Sequence, residues 1–187
     1  MLRERAEGVV RGAVAGLAAT GPMTAWMLSA HRALPGHERY ALPPEQITSV
    51  MLRRSGFEVP PLGEAKHLAA TSVAHLGYGA AAGGLYGGLA GRGGAATGVM
   101  YGLGVWAGSY LALLPSQKIL RSATEHPWRR NALMIAAHVV WGAALGAAFR
   151  ELKEGKRRKK GPRRRGAAFR TKSASGRTQS AARRAEH

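Results

Sequence analysis

The sequence predicts an all-α membrane protein whose four transmembrane helices form a duplicated helical hairpin. Four segments before residue 150 are apolar and nearly free of charge. Small residues recur within them at i and i+4, the spacing that allows helices to approach closely in lipid. Two stretches, Ala74–Tyr86 and Ala137–Phe149, share a His, an aromatic residue three positions later, Gly-Ala-Ala and a closing aromatic residue. This self-similarity is the basis for the predicted duplication.

The predicted spans are 9–31, 67–90, 94–114 and 131–149. Each is about long enough to cross the roughly 30 Å of hydrocarbon in a bilayer. A soluble helical bundle is the alternative. It is disfavoured because the four segments lack the polar face that each helix of such a bundle presents to water.

Two shorter segments between the spans are predicted to be interfacial helices. Pro44–Arg54 is amphipathic and has Pro in its first turn. It would lie at the membrane surface, or alternatively fill space between two spans. Leu114–Pro127 also opens on proline and is predicted to be a second short helix. Each half of the chain then runs span, Leu-Pro, short helix, span, which predicts a parallel repeat about an axis along the membrane normal.

Residues 1–150 are predicted to form the transmembrane domain and residues 151–187 a disordered basic tail. The chain carries a formal charge of +18. From Arg150 onward there are 15 Lys/Arg and 3 Glu, so this part alone has a net charge of +12. It shows no hydrophobic period and cannot bury a core. Because Lys and Arg concentrate on the cytoplasmic side of membrane proteins, both termini are predicted to be cytoplasmic.

The basic tail has anionic lipid headgroups as its first predicted partner, since polybasic segments beside a membrane bind them. Nucleic acid is a less favoured partner, because the tail has one aromatic residue, Phe169, and no folded reader. A solvated tail without a partner is a further alternative. The residues predicted to contact anionic lipid are Lys156, Arg157, Arg158, Lys159, Lys160, Arg163, Arg164 and Arg165.

The composition points away from catalysis. The chain has no Cys, which excludes disulfides, thiolate metal sites and thiol nucleophiles. It also has no Asp, and its ten carboxylates are scattered Glu residues. We therefore expect a non-enzymatic protein, with no catalytic residues and no metal site assigned. The glycine-rich faces also permit a homo-oligomer.

His75 and His138 are the strongest candidates for a functional role. Ionisable residues within a membrane are costly and indicate function by default. The repeat would place the two rings at matching depth. They could fix packing by hydrogen bonding to neighbouring helices, handle protons or another ion as a small transporter would, or ligate a metal or haem, for which glycine-lined faces could provide room. No cofactor is favoured. The residues predicted to form the packed face beside the pair are Tyr78, Gly79, Gly83, Trp141, Gly142 and Gly146.

Four further histidines are predicted near the outer interface, where they could extend a proton path or simply be solvated. They are His31, His37, His67 and His126.

Three short motifs resemble the YagU-like group of uncharacterised bacterial inner-membrane proteins. They are Leu42-Pro43-Pro44, Leu114-Pro115 with Pro127-Trp128 downstream, and Ala137-His138-Val139-Val140-Trp141-Gly142. The resemblance covers about residues 8–150 and not the tail. It implies a multi-pass protein of the bacterial inner membrane without an established activity, loosely associated with envelope or acid-stress physiology.

Overall fold

The computed structural model describes residues 2–56, 64–89 and 93–160, and within these ranges it is all-helical. This confirms the predicted helical class. A π-helical turn at Gly108–Leu113 joins α4 to α5 without a break, and 3₁₀ turns cover Gly36–Glu38 and Ala123–Glu125. The α-helices are α1 (Leu2–Arg32), α2 (Pro43–Arg54), α3 (Glu64–Leu89), α4 (Ala95–Ala107), α5 (Leu114–Ser116) and α6 (Trp128–Lys160).

Helices α1 and α3 pack against each other backbone to backbone. A Cβ atom added at Gly12 would lie 2.8 Å from Gly87 Cα, and one added at Gly83 would lie 2.7 Å from Gly16 Cα. Only glycine permits this separation, because each position faces main chain rather than a side chain that could move. The i, i+4 glycines therefore form an antiparallel helix pair of the kind that small residues make in lipid.

Helices α4 and α6 form a second antiparallel pair by the same means. A Cβ at Gly98 would lie 2.9 Å from Gly146 Cα, and one at Gly142 would lie 3.0 Å from Val99 Cα. The glycines predicted to flank the two histidines are thus used for helix contact. Gly104 differs, because a Cβ there would meet nothing within 4 Å.

An aromatic cluster joins the two helix pairs. The ring of Tyr86 on α3 packs 5.2 Å from that of Tyr101 on α4 and 5.4 Å from that of Phe149 on α6, measured between centroids. Tyr101 also donates a hydrogen bond to Ala82 O at 2.7 Å. The Trp141 indole N–H donates to Gly16 O at 3.3 Å, connecting α6 to α1.

Two helices are long and apolar enough to cross a membrane, judged by length and composition within the described residues. They are Ala95–Ser116 and Trp128–Gly155. These correspond to the predicted spans 94–114 and 131–149. Helices α1 and α3 cover the other two predicted spans as far as Leu89, and neither meets the same criterion of length and hydropathy. Membrane-crossing character is therefore found for two helices, and four spans remain a prediction.

The segment between α5 and α6 differs from its prediction. The expected short helix over Leu114–Pro127 is wrong: α5 ends at Ser116, and the chain then turns through Lys118, which has a positive φ of 53°. Only the 3₁₀ turn Ala123–Glu125 follows before α6. The helix predicted over Pro44–Arg54 does form, as α2, so the two halves of the proposed repeat differ here.

The carboxyl-terminal part also begins differently from its prediction. Helix α6 continues to Lys160, so disorder from residue 151 is wrong for residues 151–160. Residues 161–187, including Arg163, Arg164 and Arg165, lie outside the described residues. By its internal contacts the chain divides into two units, Met1–Arg150 and Glu151–His187. Contact of the basic residues with anionic lipid stays a prediction.

Candidate functional site

The two histidines that the sequence singles out lie on different helices and border the same cavity. His75 belongs to α3 and His138 to α6, and both line a space of about 250 Å³ in the unit Met1–Arg150. His138 is only 6% exposed, whereas His75 is half-buried. The cavity, hereafter the histidine cavity, is lined by Thr20, Met23, Met27, Pro44, Ile47, Thr48, Ala74, His75, Tyr78, Gly79, Val105, Ser109, Tyr110, Leu113, Leu114, Met134, His138 and Trp141.

The hydrogen bond of His138 determines its tautomer. Its Nδ1 lies 2.8 Å from Met134 O, one helical turn earlier. A carbonyl oxygen can only accept, so Nδ1 carries the hydrogen and the Nε2 of the neutral ring keeps its lone pair. Tyr110 packs with its ring edge-on to the imidazole at a centroid distance of 5.9 Å.

The contact of His75 leads to the same tautomer. Its Nδ1 lies 3.4 Å from the Thr24 hydroxyl oxygen, a weak contact. That hydroxyl donates its own hydrogen to Thr20 O at 2.8 Å, so it can only accept from the imidazole. This contact favours a hydrogen on Nδ1, which would leave Nε2 with its lone pair. Within the described residues, neither Nε2 has a hydrogen-bond partner.

A π-helical turn shapes one wall of the histidine cavity. Pro115 has no N–H to continue the α-helical pattern, and the Leu114 N–H bonds to Ser109 O, five residues back. Such π-helical turns replace bonds lost near proline and are frequent at functional sites. Three residues of this turn, Ser109, Tyr110 and Leu113, line the cavity.

Helix α2 and a hydrogen bond between α3 and the π-helical turn lie at other sides of the histidine cavity. Pro44, Ile47 and Thr48 of α2 line it, so the amphipathic helix predicted for the membrane surface covers the site. The Tyr78 hydroxyl lies 3.0 Å from Ser109 Oγ, between α3 and the π-helical turn. Because Tyr78 is 51% exposed, this hydrogen bond lies at the surface of the helices.

The predicted packing face beside the histidines forms with one exception. Gly79, Gly83, Trp141, Gly142 and Gly146 are all buried. Tyr78 is not part of this face, because its half-exposed ring instead places its hydroxyl against Ser109. Since the glycine faces are filled by opposing main chain, they provide no room for a haem macrocycle.

A second polar cluster surrounds Arg130, which is buried near the start of α6. Its guanidinium donates to Glu38 O and Tyr40 O, both at 3.0 Å, and to Ala41 O at 3.2 Å. The same group lies 3.5 Å from the centroid of the Tyr40 ring, a cation–π contact. One arginine thereby fixes the chain that leads into α2. We call these residues, together with His126, the Arg130 cluster.

Three of the outer histidines make hydrogen-bonding contacts rather than being merely solvated: His31 and His126 contact Tyr40 in the segment before α2, and His67 contacts Ser49 of α2. His126 Nδ1 lies 2.9 Å from the Tyr40 hydroxyl, His31 Nε2 lies 3.1 Å from Tyr40 O, and His67 Nε2 lies 2.9 Å from the Ser49 hydroxyl. Burial, together with the positive charge of Arg130, lowers the pKa of His126 below its ordinary 6.5. Tyr110 and Met134 separate the histidine cavity from this region, since they also line a small void beside His126 and Arg130.

Sequence reasoning missed most of the cavity lining. Hydroxyl residues such as Thr20 and Ser109 and the methionines of α1 and α6 look like ordinary helix residues. The available signal was spacing: Met23 and Met27 are one turn apart on α1, and Met134 and His138 are one turn apart on α6. Within the described residues, no three His, Asp or Glu side chains are grouped so as to hold a metal ion.

Comparison with protein-family models, characterised proteins and solved structures finds no match. The proposed function therefore follows from the geometry of the site.

Proposed function

We propose that this chain is a non-enzymatic, four-span protein of the bacterial inner membrane that carries a small solute or ion through the histidine cavity. The observation that supports this most directly is that His75 and His138, from two different helix pairs, line one space within the helices. Polar groups at such a depth are expensive unless they serve a ligand or a pathway. The resemblance to the YagU-like group agrees with an inner-membrane location.

The dimensions of the cavity favour a small cargo. Its volume of about 250 Å³ lies below the roughly 300–1,000 Å³ of sites for drug-sized molecules. Two histidines and several hydroxyl-bearing residues line it among mainly apolar side chains. A small solute or a single ion would therefore be bound by a few polar contacts and held weakly enough to leave, as transport requires.

Several features support four spans rather than two. Helices α1 and α3 contain 31 and 26 residues. At about 1.5 Å per residue, either is longer than the hydrocarbon core. Their mutual packing uses glycine backbones, and much of their remaining surface is apolar and exposed, including Val10, Val14 and Leu85. Lipid would cover this surface.

Engineered cysteines provide the test, because the chain has no native Cys and each new thiol is unique. Gly36→Cys and Thr124→Cys should react with a membrane-impermeant maleimide from outside intact cells, and Gly155→Cys only after the membrane is opened. Gly36 and Gly155 tolerate a side chain, since a Cβ at either meets nothing within 4 Å. Labelling of Gly36→Cys from the same side as Gly155→Cys, which two spans would give, would refute the four-span arrangement.

The cavity is tested with the same approach. Ser109→Cys lines the cavity, whereas Leu85→Cys on α3 is exposed and does not line it. A small cationic methanethiosulfonate should modify the first in membranes and leave the second unmodified, because charged reagents enter water-filled space and not hydrocarbon. Equal reaction at both positions would show that the histidine cavity is not a separate aqueous path.

A further inference from the structure

We infer that the histidine cavity binds a soft monovalent cation, Cu(I) or its redox-stable analogue Ag(I), through methionine thioethers and histidine imidazoles. This inference rests on the proposed function, because it names the class of ion that the cavity carries. Its basis is the set of side chains that border the cavity.

Methionine is concentrated at this site. The cavity is lined by Met23 and Met27 of α1 and Met134 of α6, and all three are buried. Met51 and Met100, by contrast, are 49% and 71% exposed and do not line it. The i, i+4 spacing directs Met23 and Met27 to one face of α1, and Met134 precedes His138 by one turn of α6. Five donors from three helices thus meet at one space.

Methionine often fills irregular gaps in apolar cores, and that role would need no ligand. A methionine that only filled a gap, however, would leave no open volume beside it. Here the three methionines border about 250 Å³ of open volume. The flexibility of the methionine side chain would also allow its sulfur to move towards an ion and away again.

The histidines are prepared for ligation by the hydrogen bonds of their other nitrogen. His138 Nδ1 donates to Met134 O, and His75 Nδ1 contacts the Thr24 hydroxyl. In metal sites the nitrogen that does not ligate commonly makes such a bond, which fixes the tautomer and orients the ring. Both Nε2 lone pairs are thereby left for an ion.

The donor set selects the ion. Thioether sulfur and imidazole nitrogen are soft to intermediate donors and favour Cu(I), whereas Mg²⁺ and Ca²⁺ require carboxylate or carbonyl oxygens. Among the described residues, no Asp or Glu lines the cavity. Because all five donors are neutral, the full charge of the ion is transferred into an apolar space. The desolvation cost grows with the square of that charge, which favours a monovalent ion over a divalent one.

Binding of Ag(I) by the full-length protein in detergent tests the inference. The buffer should be chloride-free nitrate, and bound silver should be measured by equilibrium dialysis and mass spectrometry. We expect one Ag(I) per chain. The variant Met23→Leu/Met27→Leu/Met134→Leu keeps the side chains apolar and similar in volume. It should bind Ag(I) at least about 100-fold more weakly, because loss of an outer-shell partner alone costs about 10–100-fold in metal affinity and this variant removes three proposed ligands. The control Met51→Leu/Met100→Leu should bind like the wild type.

A second measurement on the wild-type protein does not depend on how well the triple variant folds. With ¹³C-methyl-labelled methionine, Ag(I) should shift the NMR signals of Met23, Met27 and Met134 and leave those of Met51 and Met100 in place. Unchanged affinity in a folded triple variant, or shifts confined to the exposed methionines, would overturn the inference.

The two proposals can fail separately. If cysteine labelling follows the expected pattern while the wild type binds no Ag(I), the proposed soft cation is refuted and the proposed transport function is kept. If silver binds as expected but labelling contradicts the four-span topology, the binding site remains and the transport role is lost.

Discussion

Replacement of Gly83 by Ala provides a direct test of the backbone contact between α1 and α3. The new Cβ would lie 2.7 Å from Gly16 Cα and 2.9 Å from Gly16 N, whereas ordinary contacts begin near 3.4 Å. No flexible side chain can yield on that side. The two helices must therefore separate by at least about 0.7 Å, the difference between 3.4 and 2.7 Å, because the carbonyl oxygen of Gly12 lies closer still to the new Cβ.

The cost of this separation can be estimated. A gap of about 0.5–1 Å forfeits roughly a quarter to a half of the dispersion energy of each affected contact. Overpacking of this kind costs about 1–3 kcal/mol, and the rigid main chain on both sides places Gly83 near the upper value. Alanine offsets about 1 kcal/mol of this through its better helix propensity. We expect a net loss of about 2 kcal/mol in the free energy of unfolding.

Gly77→Ala is the matched control, because Gly77 lies on the same helix and a Cβ there meets nothing within 4 Å. It gains the helix propensity without the clash, so it should be as stable as the wild type or up to about 1 kcal/mol more stable. Unfolding should be followed by circular dichroism in mixed micelles of increasing denaturing detergent. If Gly83→Ala proves as stable as Gly77→Ala, the proposed backbone contact is wrong.

The remaining predictions concern the Arg130 cluster. Arg130→Lys should lower the free energy of unfolding by about 2 kcal/mol. Lysine cannot reproduce the planar set of donors, and hydrogen bonds to charged groups contribute about 1.5–3 kcal/mol. The control Arg129→Lys, at a half-exposed side chain, should change the free energy of unfolding by no more than about 0.5 kcal/mol. Equal effects of the two substitutions would contradict the role of the buried guanidinium. The pKa of His126 is lowered in the folded state, so the unfolded state binds the proton more readily. The contribution of neutral His126 to the free energy of unfolding is therefore present above pH 6.5 and is lost as the pH falls below it. Melting curves from pH 8 to 5 should therefore depend less on pH in His126→Gln, and identical pH profiles would count against this assignment.

Several features of the fold could be predicted because they depend on local pattern. The i, i+4 glycines predict close helix pairs, and the pairs form through those residues. Pro in the first turn and an amphipathic pattern predict Pro44–Arg54 as a helix, which begins one residue earlier. The same reasoning is wrong for Leu114–Pro127. There, α4, the π-helical turn and α5 form one continuous helical segment that ends at Ser116. The chain after Ser116 turns rather than forming a helix. Local propensity does not reveal where a preceding helix stops.

The site was predicted only in part. The sequence identifies His75 and His138, because a histidine within an apolar helix is conspicuous. It does not identify Arg130, whose partners Glu38, Tyr40 and Ala41 are about 90 residues away in the chain and are main-chain oxygens. Every residue has a main-chain carbonyl oxygen, so the sequence does not show which one accepts a hydrogen bond. The sequence likewise indicated no partner for the outer histidines, although His31 and His126 contact Tyr40 and His67 contacts Ser49 of α2.

The sequence by itself determined the helical class, the pairing of helices through glycine, and the two histidines within apolar helices, because each depends on residue type and spacing along one helix. Only the tertiary structure decided that the two rings share one cavity, that three of the methionines border it, and that the glycines beside each histidine are filled by opposing backbone. Those properties arise between helices. They depend on how far two main chains approach and which side chains then meet across the gap, and a single helical pattern does not contain that information.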